Sequence, residues 1–399
     1  MTRKAMARNM TRKKKALVVG AGIGGLTAAV ALREAGLDVE VYERAGELRA
    51  AGSGLSVMSN AIAALDSLGV GIDLAKRGRV LRSYHVKTAT GRLIREFPFP
   101  EIIERLGVPS VLITRAELQH ALLEAAQGIP LHLGAAATGF TAEGAPGEGV
   151  EITFDDGTSA HGDVLIGADG FHSVVRRQLV GPEDSQDSGY VCWLAVIPFE
   201  HPRFTPGSVT HFWGSGKRFG LVDMGAGRLY WWGTKNMPAE LSRDWKGGKA
   251  EVLHAYDGWA DEVRQAILAT PEESIIAVPS RDRAFLERWG RGPVTLLGDA
   301  AHPMLTSLGQ GSGMAIEDAV VLGRALAGAG DLPRALRRYE DERRERTRGM
   351  VAASRGISSF EQSEDPIRRP VRDAYFRFMP QRRLTRTLED SLTFPAVAG

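Results

Sequence analysis

The stretch Ala16-Leu-Val-Val-Gly-Ala-Gly-Ile-Gly-Gly-Leu-Thr-Ala-Ala-Val-Ala-Leu-Arg-Glu-Ala-Gly36 constrains this chain more than any other. Ala16 to Val19 reads as a buried strand, because it has no polar alternation. Gly20, Gly22 and Gly25 then fit G-x-G-x-x-G, with Gly24 between them, and helix-type apolar spacing follows from Leu26 to Leu32. The first glycine allows a tight turn, the second lets backbone approach a pyrophosphate, and the third lets helix pack closely on strand. Phosphates would meet free N–H groups at the positive end of that helix. A second apolar run, Val39 to Tyr42, ends in Glu43, about where an acid meets a ribose hydroxyl. The pattern predicts a dinucleotide site and leaves FAD and NAD both open.

The 399 residues give room for two or three domains, at roughly 150 residues each. A net charge of +2 argues against a nucleic-acid partner. Cys192 is the sole cysteine, so there is no internal disulfide and no cysteine-based metal site; no metal is expected. A cytoplasmic location fits that cysteine usage. No apolar run approaches the ~20 residues needed to span a bilayer, and no membrane partner is expected. Residues 1–15 carry Arg3, Lys4, Arg8 and Arg12 to Lys15 without an acid or the apolar core of a secretory signal. They are expected to form a disordered basic tail.

Further along, Val80 to Phe99 alternates loosely and suggests strands. Thr114-Arg-Ala-Glu117 is a capping box that puts Arg115 in a first helical turn, either facing an anion or in solvent. Residues 129 to 162 read as a β-meander, with an Asp-Gly hairpin signal at Asp156-Gly157. Another buried strand runs into Gly167-Ala-Asp-Gly170. Between Tyr190 and Trp232 aromatics recur among polar residues, predicting a sheet with one large aromatic face. A third buried strand leads to Gly298-Asp-Ala-Ala-His-Pro303, then a glycine-rich loop and a helix from Met314 to Leu326. Helical spacing returns from Arg334 to Val351. Three apolar strands thus end in glycine plus acid, at Glu43, Asp169 and Asp299, more than a hundred residues apart. One cofactor unit is expected to be assembled from dispersed pieces, with another domain inserted between them.

At these residues the chain resembles the class A flavoprotein monooxygenases, the para-hydroxybenzoate hydroxylase-like family, and among them the urate, 3-hydroxybenzoate and salicylate hydroxylase-type members. The resemblance covers about residues 16 to 350. It implies an α/β fold: a Rossmann-like FAD-binding domain in three parts (16–78, 106–182, 281–330). An inserted mixed β-sheet substrate domain (79–105, 183–280) and a C-terminal helical region (331–399) complete it. It implies that Gly20, Gly22, Gly24, Gly25 and Glu43 hold the ADP half of FAD, with Arg44 beside the adenosine ribose. Ser56 and Arg115 would reach the middle of the cofactor, and the Ala137 backbone the adenine side. Asp169 would belong to the Asp-Gly motif that stabilises the fold around FAD, and Asp299 would bond the ribityl chain. Gly309, Gln310, Gly311, Ser312 and Gly313 would supply backbone near the flavin ring.

The activity implied is that of an FAD-dependent monooxygenase using NAD(P)H and O₂. It would hydroxylate an aromatic or electron-rich ring through a flavin C4a-hydroperoxide, as a monomer or homodimer. A flavin reductase of the geranylgeranyl reductase type, an epoxidase, or a non-catalytic flavin sensor are the alternatives. His302 is expected to be structural. Arg218 and Tyr230 map to substrate contacts of the urate enzymes; from the residues alone, a surface hairpin arginine and a core tyrosine fit equally. The urate enzymes place an aspartate where this chain has Ser307, so an Arg–Asp pair cannot form there. Met304, Leu305 and Thr306 then suggest a less polar pocket and a larger, more apolar ring.

Overall fold

The structure, a computed structural model, describes residues 13–48, 53–142 and 149–395. Most of the expected basic tail, residues 1–12, lies outside the described residues; Lys15 already opens the first strand.

That strand, Lys15–Val19, runs inside a five-stranded parallel sheet between Asp38–Glu43 and Val164–Gly167. Val294–Leu296 and Leu131–Leu133 form the edges. Ala16, Leu17 and Val18 are completely buried, as are Val164 to Ile166 and Val294, because helices cover one face and the strands Val150–Phe154 and Ser159–Gly162 pack against the other. The register pairs Val19 with Gly167 and Gly167 with Leu296, so the ends of the three strands lie side by side. The three glycine-plus-acid turns therefore meet at one edge, outside the carboxyl ends of parallel strands, where α/β sheets place ligands. Leu131–Leu133 is the exception to the expected β-meander. It pairs parallel with Asp38–Glu43, and only Ala137–Ala142, Val150–Phe154 and Ser159–Gly162 form the antiparallel meander.

A second, seven-stranded sheet stands beside it. Its order is Ile276–Asp282, Gln186–Pro198, Arg228–Asn236, Lys217–Gly225, Ser208–Trp213, Ser83–Thr88 and Leu93–Phe97. The expectation of one large aromatic face does not hold. Side chains alternate along a strand, so the neighbours Phe212–Trp213 and Trp231–Trp232 must point to opposite faces. Trp193, Phe212, Phe219 and Trp231 pack beneath the helices Lys249–Ala255 and Asp261–Ala269 as a closed core. Tyr190, Trp213, Tyr230 and Trp232 lie on the other face, in register with Arg218. Half of the aromatic signal is this core; on the other face Tyr190 and Trp232 lie against Arg218, while Trp213 packs against Phe376.

Three helices end the chain: Leu332–Glu361, Arg368–Phe378 and Gln381–Leu392. The first crosses behind Gly311–Leu326 and ends against the seven-stranded sheet.

Candidate active site

The glycine fingerprint makes the first half of the cleft. Gly20 has φ +103°, which favours glycine, and a Cβ there would lie 2.4 Å from the Ala168 carbonyl oxygen. A Cβ on Gly25 would lie 1.8 Å from the Gly20 oxygen, so the helix Ile23–Glu34 starts in direct backbone contact with the strand turn. Gly22, by contrast, faces open space. Gly24 faces inward onto Leu297 and Ala315, so its part is helix packing. No side chain caps this helix and no acid sits in its first turn, leaving its positive end open. Glu43 accepts from the backbone N–H groups of Ala21 at 2.8 Å and Ala45 at 3.0 Å, which fixes its carboxylate at the cleft edge.

Two contiguous hollows of about 780 and 220 Å³ share Gly22, Glu43, Arg44 and Arg115. The smaller continues past Ala137 to Asp169. Arg115 is placed by its cap, since the Thr114 hydroxyl accepts from the Glu117 N–H at 3.2 Å. Ser56 lies on Gly54–Val57, antiparallel to the strand that leads into that cap. Asp169 turns out to be occupied: its carboxylate accepts from the Val174 N–H at 2.7 Å and from the Ser173 hydroxyl, capping the helix Val174–Val180. Burial pushes its carboxyl above the ordinary value, against those hydrogen bonds.

Asp299 differs. Its side chain is exposed and makes no hydrogen bond among the described residues. Desolvation by the surrounding protein raises the carboxyl, opposed by the charges of His302 and Arg115. Gly311 opens the helix Gly311–Leu326 beside it; a Cβ there would lie 3.9 Å from the Asp299 Oδ1. That helix also starts without a side-chain cap or an acid, just after Gly309 and Gln310. Ser312 is half-buried in the same first turn. The Gln310 side chain is turned inward to Asn60 at 3.1 Å, and Gly313 faces that pair, so these two contribute packing with their side-chain positions.

The Asp299 turn is held by a buried charge network that the motif reading did not identify. Asp318 accepts from the Gly298 N–H at 3.1 Å, from His302 Nε2 at 2.6 Å and from Arg343 Nε at 2.7 Å. Arg343 also meets Glu317 at 2.7 Å, and Arg176 donates to the carbonyls of Ala300 and Ala301, both at 3.0 Å. His302 is thus structural. The signal in the sequence was Glu317-Asp318 within an apolar helix, because buried acids need partners.

Above the cleft, a Cβ on Gly54 would lie 2.5 Å from the Tyr230 ring, so the Ser56 strand and the seven-stranded sheet close onto each other. Arg218 is 1% exposed, and no surface hairpin residue. Its Nε donates to Gln362 at 3.1 Å and Thr234 at 3.3 Å, and its Nη1 to Ser307 at 3.3 Å and to Glu361. The guanidinium lies over Trp232 and Tyr190, at 5.3 and 5.8 Å from the ring centroids. Nη2 makes no hydrogen bond among the described residues. The missing aspartate at Ser307 is therefore answered by a carboxylate 143 residues along the chain from Arg218. Burial raises the Glu361 carboxyl, and the charges of Arg218 and Arg372 oppose that rise. His211, buried beside Trp232 and bonded to the Tyr84 hydroxyl at 3.0 Å, is pushed down to about 3 by burial and by Arg218, so it is neutral.

A nucleotide cradle built from three separated strand ends, closed by a second sheet with a buried arginine, defines a cofactor-dependent enzyme of small-molecule substrates. Residues 13–354 match the FAD binding domain family, and the chain belongs to it. It is 36% identical over 378 residues to the aurachin C monooxygenase/isomerase of Stigmatella aurantiaca, covering 95% of this chain and 97% of that protein. It is also 36% identical over 343 residues to the FAD-dependent urate hydroxylase of Klebsiella pneumoniae subsp. pneumoniae (86% and 88% covered). The crystal structure of Klebsiella pneumoniae HpxO complexed with FAD and uric acid matches with a TM-score of 0.88 at 33% identity, covering 95% of this chain and 96% of that one. The protein is an FAD-dependent monooxygenase, and use of NAD(P)H and O₂ is typical of its class. Among the described residues no helix is long and apolar enough to cross a membrane.

Proposed function

We propose that this enzyme hydroxylates an uncharged, mostly apolar aromatic or heteroaromatic ring bearing a carbonyl or hydroxyl oxygen. FAD, when bound, supplies the redox and oxygen-transfer chemistry. The observation that favours a fit to FAD is Asp299: an unpaired, exposed carboxylate lies beside one of two uncapped helix starts, suiting a ribityl hydroxyl and a pyrophosphate. In this reading Gly20, Gly22, Gly25, Glu43 and Arg44 hold the adenosine diphosphate, with Ala137 at the adenine. Ser56, Arg115 and the Gly309–Ser312 backbone hold the middle and the ring. Asp299→Ala should weaken FAD affinity roughly ten- to a hundredfold, the size of a lost hydrogen bond to a charged group. Flavin titration of the stripped protein checks this.

The reading of the substrate rests on Arg218. Its charge is already met by Glu361, and its aromatic neighbours and neutral His211 add none, so a second anion would find no unbalanced cation. The Nη2 group is left to donate to a ring oxygen, and Tyr230 to stack at the cleft. These residues orient the ring and exclude water; they need not move a proton. NAD(P)H oxidation and incorporation of labelled oxygen should be stimulated by quinolones or neutral phenols more than by urate or ring carboxylates. Glu361→Gln should shift that preference toward anionic rings by about tenfold or more, since it leaves a buried cation unpaired. Unchanged selectivity in a folded, flavin-loaded variant refutes the pairing argument. No stimulation by any ring refutes the hydroxylase reading itself.

A further inference from the structure

The helix Arg368–Phe378 is anchored by few side chains. Its inner face sets Phe376 against Trp213, with centroids 5.1 Å apart, and Arg372 over the same ring at 4.9 Å. Arg372 also donates to the Glu361 carbonyl at 3.0 Å, which ties the helix to the partner of Arg218. The outer face is unusual. Ile367, Val371, Tyr375 and Phe378 are 76%, 63%, 46% and 77% exposed. At about 100° per residue they fall within an arc of about 80°, a single stripe along one side. Four of the ten large exposed hydrophobic side chains among the described residues lie in these twelve positions. Scattered exposed apolar residues are ordinary, but an aligned stripe marks an interaction surface.

Arginines dominate the border of the stripe, although Arg368 is paired with the exposed Asp365 at 3.6 Å and Glu364 is exposed beside it. Arg368 and Arg377 are exposed on its two sides, and Arg382, Arg383 and Arg386 are exposed on the helix that follows. From residue 367 to 386 the sequence holds seven arginines and one acid, Asp373. We propose that this surface docks the enzyme on an anionic lipid membrane. The helix would lie flat, its four apolar side chains entering the boundary between headgroups and acyl chains and its arginines meeting lipid phosphates. A second copy fits less well. A two-fold contact would set these arginines against their own copies. The stripe is only about 17 Å long and about one helix, ~10 Å, wide, so its footprint of roughly 170 Å² is far short of the ~800 Å² per partner of a standard interface. The docking is peripheral and runs against the expectation from the sequence of no membrane partner.

The test is flotation of the full-length, FAD-loaded protein with phosphatidylglycerol-containing vesicles and with pure phosphatidylcholine vesicles. The protein should float with the anionic vesicles, weakly or not at all with the neutral ones, and less as salt rises. The double variant Val371→Glu/Phe378→Glu changes only exposed side chains, so flavin content should hold while lipid affinity falls more than about tenfold. Arg368→Glu/Arg377→Glu, as an independent pair, should remove the preference for anionic lipid. Removing residues 1–12 should leave binding unchanged. The proposal is overturned if wild-type protein ignores anionic vesicles, if the Val371/Phe378 variant floats as well as wild type, or if binding is lost with residues 1–12. It is equally overturned if lipid-free protein dimerises through this stripe, seen as a mass in light scattering that halves in the same variant.

Discussion

Gly25→Ala is expected to give a protein that carries no flavin. The methyl group would enter at 1.8 Å from the Gly20 carbonyl oxygen, a backbone atom with no rotamer to escape into. Gly20 has little room to retreat, because the Ala168 carbonyl oxygen lies only 2.4 Å from where a Cβ on Gly20 would stand. The helix Ile23–Glu34 must therefore lift off the turn, and its first N–H groups leave the place where a pyrophosphate would lie. A cost of at least about 3 kcal/mol follows from overpacking against fixed backbone. The flavin absorbance of purified protein, relative to that at 280 nm, reads the first effect, and thermal unfolding the second. Gly22→Ala is the control. Its Cβ would meet nothing within 4 Å, so the fold should survive and only cofactor affinity should fall.

Arg343→Met should be the most destabilising single change outside the fingerprint. Arg343 is 2% exposed and serves two adjacent carboxylates, Glu317 and Asp318, both fully buried. Removing one member of a buried ion pair costs about 3–5 kcal/mol, because the remaining charge stays desolvated. Denaturant unfolding of the flavin-loaded protein checks the magnitude. The pH dependence gives a second readout. Burial pushes the Asp318 carboxyl up, but His302 and Arg343 outweigh it and hold it below its ordinary value of 3.8. A depressed acid contributes stability that is present above its unfolded value and lost as pH falls through the folded one. The gap between wild type and variant should therefore narrow on acidification below about the ordinary carboxylate range. A gap that stays constant would remove Asp318 from the account. Because Asp318 also holds the Gly298 N–H and His302, the variant should lose flavin affinity through the Asp299 turn.

The backbone geometry of the candidate cofactor cleft was legible because it is local. A tight turn, a close backbone approach and a helix start each require particular residues within a few positions, so Gly20, Gly25 and the Thr114 cap announce themselves. Asp299 was legible for the same reason, as an acid directly after a buried strand. Asp169 stood in the same pattern, although the structure gives its carboxylate to a helix cap. The substrate half was less so. Alternation in the strands could be counted, yet the run of aromatics concealed that Trp231 and Trp232 serve opposite faces. Ser307 signalled that one ion pair was missing, but nothing near Arg218 pointed to Glu361.

The sequence by itself determined the nucleotide cradle, the parallel strands that build it and the dispersed order of its parts, since these follow from local sterics and hydrophobic period. Only the tertiary structure decided what surrounds Arg218 and what the last helices expose. Those features depend on where a thirty-residue helix ends relative to a sheet. Glu361 reaches Arg218, and Ile367 to Phe378 face outward, through long-range packing that no short-range pattern encodes.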